Sequence, residues 1–82
     1  MNKIVVTIYV LTLDYQYDLL LPINVVVREA LELIQNSIVD LFGDDYIINE
    51  NAVLYNENGD LINLNNIVKF SGIKNGSKLM LV

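Results

Sequence analysis

The fold of this chain can be inferred from the stretch Phe70-Ser71-Gly72-Ile73-Lys74-Asn75-Gly76-Ser77-Lys78-Leu79-Met80-Leu81-Val82. Its Asn75-Gly76 dipeptide is typical of a tight turn that leads into a strand. After the turn, Leu79 and Leu81 alternate with Met80 and Val82, and alternate residues of a strand lie on opposite faces of the sheet. We therefore predict a short strand whose leucines face a core, at the centre of a small sheet.

The composition predicts one globular domain that covers residues 1–82. A chain of 82 residues has room for a core of about one helix and one sheet. Hydrophobic residues form 54% of the sequence and charged residues 18%, so the chain is too apolar to be disordered.

The charged residues argue against nucleic-acid binding and against a metal site. Five basic residues stand against ten acidic ones, for a net charge of −5, and the basic ones form no run that could follow a phosphate backbone. Asp44-Asp45 and Glu57/Asp60 lack the register of oxygen ligands found in calcium loops, so we interpret both as solvated loops.

The inventory of side chains argues against catalysis. The sequence has no cysteine and no histidine, which removes thiol chemistry and the commonest acid–base group. We therefore expect no enzyme activity, no catalytic residue and no cofactor. The lack of cysteine fits a cytoplasmic protein. The first apolar run, Ile4 to Leu13, is far too short to cross a bilayer, so we expect no membrane insertion.

The N-terminal third predicts an antiparallel hairpin. Lys3 to Leu13 is rich in β-branched residues, and its uniformly aliphatic set should face the core. Tyr17 to Leu21 continues as a second strand after a short turn, and Pro22 ends it. The core-facing residues expected in the first strand are Ile4, Val6, Ile8 and Val10.

The middle of the sequence predicts a single helix from Val25 to Phe42, with Asn24 as its N-cap and Gly43 as its C-cap. Apolar residues recur there at intervals of three and four, as in an amphipathic helix. They are Val27, Ala30, Leu31, Ile34, Ile38 and Leu41.

Beyond the helix we expect Tyr46, Ile47 and Ile48 to pack under its end. Short strands follow at Ala52 to Asn56 and at Leu61-Ile62. The connection Asn63 to Lys69 should be anchored by Leu64, Ile67 and Phe70. The order is β-β-α-β-β-β, and a single helix must then cover one face of a mixed sheet, in a two-layer α+β domain.

Over nearly its whole length the chain resembles a ubiquitin-like β-grasp domain. The resemblance rests on the opening hairpin, the helix, and the ending Gly72-Ile73-Lys74-Asn75-Gly76-Ser77-Lys78-Leu79-Met80-Leu81. Within that superfamily it is similar to the YukD/EsaB family, through Val6-Thr7-Ile8, Tyr17-Asp18-Leu19-Leu20-Leu21-Pro22 and the final Leu-x-Leu strand. It departs from that family in lacking a proline near the helix start and in its long polar turn at Asn56 to Asp60.

The resemblance implies a cytoplasmic accessory or regulatory component of a type VII (ESX-like) secretion system of Gram-positive bacteria. Such a component would bind another protein, and a component of the secretion membrane complex is the implied partner. The alternatives are a ubiquitin-like module of an unrelated assembly and a carrier of the ubiquitin or sulfur-transfer class. A carrier needs a flexible Gly-Gly tail, whereas this sequence ends in Met80-Leu81-Val82, so we expect a protein that is not conjugated.

The outward face of the sheet is the candidate protein-binding site. A solvated sheet face normally alternates to polar residues, so a continuous apolar patch there indicates an interface. The alternatives are a second copy of the chain in a homodimer, and apolar surface residues that have no function. The residues predicted to form one outward apolar patch are Val5, Tyr9, Leu20, Leu54, Met80 and Val82.

Overall fold

The computed structural model describes residues 2–82 and contains one α-helix packed on a four-stranded mixed sheet. The predicted two-layer α+β architecture is confirmed. The strands and the helix are β1 (Lys3–Val10), β2 (Tyr15–Pro22), α1 (Val27–Phe42), β3 (Leu54–Tyr55) and β4 (Lys78–Leu81). Short 3₁₀ segments lie at Leu11–Leu13, Gly43–Asp45 and Val68–Phe70.

The strand order is β2-β1-β4-β3, which places the closing strand between β1 and β3. β1 pairs with β2 antiparallel and with β4 parallel, whereas β3 pairs with β4 antiparallel. Everything between β1 and β4 therefore forms the crossover that two parallel neighbours require. The predicted central position of the last strand is confirmed.

The core lies between the sheet and α1. Leu79 and Leu81 are buried beside the predicted aliphatic set of β1, and Leu21 joins them from β2. The helix contributes its predicted stripe except for Leu41, which is 55% exposed because its neighbour Phe42 takes the position against the core in the last turn of α1. The buried helix residues are Val27, Ala30, Leu31, Ile34, Gln35 and Ile38.

Several predicted boundaries are wrong. The 3₁₀ turn at Leu11–Leu13 ends β1 early, and β2 starts at Tyr15. Helix α1 is capped by Val26, without a side-chain hydrogen bond, instead of Asn24. The predicted strand at Leu61-Ile62 is reduced to one isolated bridge between Leu61 and Tyr55, so four strands form the sheet where five were expected.

The connection from α1 to β3 is held by a buried glutamine and not by isoleucines. The side chain of Gln35 donates to the carbonyl of Asn49 (3.0 Å) and accepts from the Asn49 N–H (2.8 Å) and the Tyr46 hydroxyl (2.7 Å). Tyr46 packs on the core as predicted, but Ile47 is 84% exposed and Ile48 is also exposed. These bonds anchor the loop, because they tie the Asn49 backbone and the Tyr46 hydroxyl to the buried side chain of Gln35.

The connection from β3 to β4 contains a second correction. Val68 is fully buried and Leu64 packs on the core, whereas Ile67 and Phe70 are exposed. The N–H of Val68 donates to the carbonyl of Val25 at 2.8 Å, so the backbone ties this segment to the start of the helix. The burial of Val68 follows from that tie.

Candidate protein-binding surface

The outward sheet face is organised in rows that cross the strands, because the strand pairings set which residues are neighbours. Val5 faces Leu20, and both side chains are exposed. We call these two residues the hairpin pair. Leu20 is the more exposed of the two, at 59%.

A second row is polar. Thr7 lies between Asp18 on β2 and Lys78 on β4. The Thr7 hydroxyl donates a 2.7 Å hydrogen bond to Oδ1 of Asp18. On the far side, the backbone N–H of Lys78 donates to Oε1 of Glu57 at 3.3 Å. The row therefore carries acidic, hydroxyl and basic groups across the middle of the face.

A third group of residues is apolar and lies at the end of the sheet where β4 finishes. Met80 lies between Tyr9 and Tyr55. Val82 follows, and its backbone exchanges two hydrogen bonds with that of Val53, at 3.0 and 3.1 Å. We call these five residues, Tyr9, Val53, Tyr55, Met80 and Val82, the end patch.

The structure divides the predicted patch and corrects one of its members. The polar row separates the hairpin pair from the end patch, so the predicted single surface is two surfaces. Leu54 is fully buried, because it pairs with the core residue Leu81, and Tyr55 takes the outward position instead. Alternate residues of a strand lie on opposite faces, and a polar residue usually marks the outward one. No such residue occurs in Val53-Leu54-Tyr55, so its sequence does not show which side faces outward.

The electrostatics of the end patch centre on Tyr9. Its hydroxyl donates a 2.6 Å hydrogen bond to Oδ1 of Asp14, in the turn between β1 and β2. This bond, followed by desolvation and the negative charge of Asp14, raises the pKa of Tyr9 above its ordinary value. The phenol is thus neutral and oriented at physiological pH, so the patch presents an uncharged aromatic ring.

The rest of the described chain adds no reactive constellation. Within residues 2–82, no group of three or more acidic side chains converges as a metal site would require. Over the same residues, the structure contains no helix long and apolar enough to cross a membrane.

Comparison with solved structures identifies the fold. A protein from work on molecular mimicry of SUMO that promotes DNA repair aligns with a TM-score of 0.80 at 13% identity, covering 100% of this chain and 92% of that one. The ubiquitin-like domain of the Mycobacterium tuberculosis type VII secretion protein ECCD1 aligns at 0.72 and 21% identity, covering 100% and 99%. This protein therefore has the ubiquitin-like β-grasp fold.

A further similar structure is a chain of the MycP5-free ESX-5 inner membrane complex, with a TM-score of 0.77 at 16% identity. The alignment covers 100% of this chain but only 21% of that chain. No protein-family model and no curated protein matches the sequence.

Proposed function

We propose that this protein is a non-conjugated ubiquitin-like accessory component of a Gram-positive type VII secretion system. It acts in the cytoplasm by binding another protein without a covalent link, as the YukD/EsaB resemblance implies. The end patch carries the proposal, because five adjacent apolar residues on an otherwise solvated sheet face are typical of an interface. The proposed function needs no enzymatic chemistry.

The similar structures support the choice of system. The ECCD1 domain belongs to a type VII secretion protein and the other chain to the ESX-5 inner membrane complex, and both share this fold over the whole of the present chain. We infer that the partner is a component of the secretion membrane complex. A ubiquitin-like fold can serve as a docking module without acting on its partner, since function depends on the surface and not on the fold.

A second candidate is a ubiquitin-like module of an unrelated assembly. The observation that favours it is the high structural similarity to the SUMO-mimicking protein, which covers both chains almost completely. Neighbouring genes discriminate between the two candidates. Genes for small helical-hairpin substrates and an FtsK-like ATPase support the first, and their absence supports the second.

The experiment compares secretion by a strain that lacks this gene with secretion by complemented strains. Met80→Asp places a charge within the end patch, and Phe70→Asp is the matched control because Phe70 is 71% exposed and lies outside the sheet. We expect wild type and Phe70→Asp to restore secretion and Met80→Asp to fail while still folding. Normal secretion in the deletion strain contradicts the proposal, and equal restoration by both variants contradicts the role of the end patch.

A further inference from the structure

The outer edge of β2 is an open strand edge. β1 bonds to β4 through its odd-numbered residues, since the Thr7 N–H donates to Ser77 (2.9 Å) and the Val5 carbonyl accepts from Gly76 (2.7 Å). The even-numbered residues of β1 therefore bond to β2, a pattern that continues in the 3.0 Å bond from the Ile23 N–H to the Asn2 carbonyl.

This pattern determines which backbone groups of β2 point away from the sheet. Tyr15, Tyr17, Leu19 and Leu21 face the even-numbered residues of β1 and are used in the ladder. The N–H and C=O groups that point outward belong to Gln16, Asp18 and Leu20, and Pro22 contributes only a carbonyl. Such a row of alternating donors and acceptors is a template for another strand.

The opposite edge offers no comparable template. β3 has only two residues, and the Leu54 carbonyl accepts a 2.9 Å hydrogen bond from the Ile62 N–H of the returning chain. Leu61 bridges Tyr55 on the same side. The β3 edge is therefore covered, while none of residues 2–82 pairs with the outer side of the eight residues of β2.

An apolar border runs along the helix side of the open edge. The Tyr17 hydroxyl bonds to Ser37, which fixes the face of α1 that lies beside β2. Leu33 and Leu41 lie one turn before and one turn after Ser37, on that same face, and they are 45% and 55% exposed. Leu19 is half-buried on the strand below. Leu19 packs partly against the core, whereas Leu33 and Leu41 are exposed apolar surface that neither the core nor the end patch explains.

The acidic side chains near this edge favour a binding partner with basic residues. Asp18 is exposed on the edge strand, and Asp40 lies on the helix face that carries Leu33. The basic residue paired to β2 is Lys3, which lies opposite Pro22 at the far end. A second copy of this chain would bring like charges together, because its own edge carries the same carboxylates. A segment with basic residues removes that repulsion.

We propose that the β2 edge accepts an extended segment of a partner protein as an added strand of the sheet. The segment would bond to the backbones of Gln16, Asp18 and Leu20, at about 4.8 Å from β2. Its apolar side chains point toward Leu19 and Leu33, and its alternate side chains are Lys or Arg and lie near Asp18. This surface adjoins the outward face but does not use the end patch, so it is separate from the proposed function.

The test uses the whole protein and a synthetic peptide of alternating lysine and valine, about eight residues long to match a typical strand. Amide hydrogen exchange followed by NMR is the readout. Without peptide, the amides of Gln16, Asp18 and Leu20 should exchange much faster than those of Tyr17 and Leu19. With peptide, the three fast amides become protected, because they then donate to the added strand.

Matched peptides and variants separate the contributions of backbone and charge. A peptide of alternating glutamate and valine should bind more weakly, and a backbone N-methylated lysine–valine peptide should not bind. Asp18→Lys should weaken binding of the lysine peptide roughly three- to ten-fold, while Asp60→Lys, on an exposed loop at the other edge, should not.

Four results would overturn the proposal. The first is that the lysine–valine peptide gives no protection at millimolar concentration. The second is that the acidic and basic peptides bind equally, and the third is that peptide binding perturbs Tyr9 and Met80 instead. The fourth is protection of Gln16, Asp18 and Leu20 that rises with protein concentration alone, which would assign the edge to a second copy.

Discussion

Leu54 lies directly opposite Leu81 in the pairing of β3 with β4, and both side chains are buried. β3 is only two residues long, so this contact is a large part of what holds it to the core. We expect Leu54→Ala to lower the free energy of unfolding by about 2–5 kcal/mol, the range for a buried leucine that leaves a cavity. Urea unfolding followed by circular dichroism measures the change.

Tyr55→Ala is the neighbouring control. Tyr55 lies on the outward face, so its truncation should cost less than Leu54→Ala, while it should weaken any binding through the end patch. If Leu54→Ala leaves stability unchanged and Tyr55→Ala lowers it strongly, the assignment of faces in β3 is wrong.

A second prediction concerns the Gln35 side chain. Gln35→Ala removes the acceptor of both the Asn49 N–H and the Tyr46 hydroxyl and leaves the Asn49 carbonyl without its side-chain donor. Because three part-buried hydrogen bonds are lost together, we expect the free energy of unfolding to fall by about 1–3 kcal/mol. Hydrogen exchange at the Asn49 amide should accelerate as well.

The exposed neighbour Asn36 provides the control for that experiment. Asn36→Ala should change stability by less than about 0.5 kcal/mol, as surface substitutions usually do. Equal effects of the two variants would mean that Gln35 does not hold the loop.

The sequence predicted those parts of the fold in which periodicity is unambiguous. The aliphatic set of β1 and the alternation of Leu79 and Leu81 placed both strands correctly, since a shift by one residue would expose the core. The prediction that Leu54 faces outward was wrong, because a short run of apolar residues contains no polar residue to show which side faces the core. The division of the outward face depends on cross-strand neighbours, which only the pairing of β1 with β2 and β4 reveals.

A third prediction concerns the turn that precedes β4. The Asn75 side chain accepts a 2.9 Å hydrogen bond from the Val5 N–H, and Gly76 has a φ of +88°. Asn75→Ala should cost about 1 kcal/mol through the lost bond. Gly76→Ala should cost about 1–2 kcal/mol, because a Cβ is strained at positive φ. Thermal or urea unfolding tests both.

Gly76→Asn distinguishes backbone strain from other effects at that turn. Asparagine tolerates positive φ better than alanine, so Gly76→Asn should be the milder of the two substitutions. No space restricts either side chain, since nothing lies within 4 Å of a Cβ at this position. An equal loss in both variants would argue against strain as the cause.

The last prediction is a loss of stability at alkaline pH that depends on Tyr17 and Tyr9. Burial raises the pKa of Tyr17, and the bond to Asp14 raises the pKa of Tyr9. A tyrosine in the unfolded chain has a pKa of about 10, so above that pH the unfolded state has released protons that the folded state still holds. Stability is therefore complete below about pH 10 and falls as the pH rises through the folded pKa values.

Asp14→Asn tests whether the bond to Asp14 causes the raised pKa of Tyr9. It removes the negative charge and the carboxylate acceptor, so the pKa of Tyr9 should fall toward its ordinary value, while that of Tyr17 should not change. NMR of the tyrosine rings during a pH titration resolves the two residues. Tyr17→Phe should flatten the alkaline loss of stability, because it removes the more buried of the two phenols. An unchanged Tyr9 titration in Asp14→Asn would show that the hydrogen bond to Asp14 is not what raises its pKa.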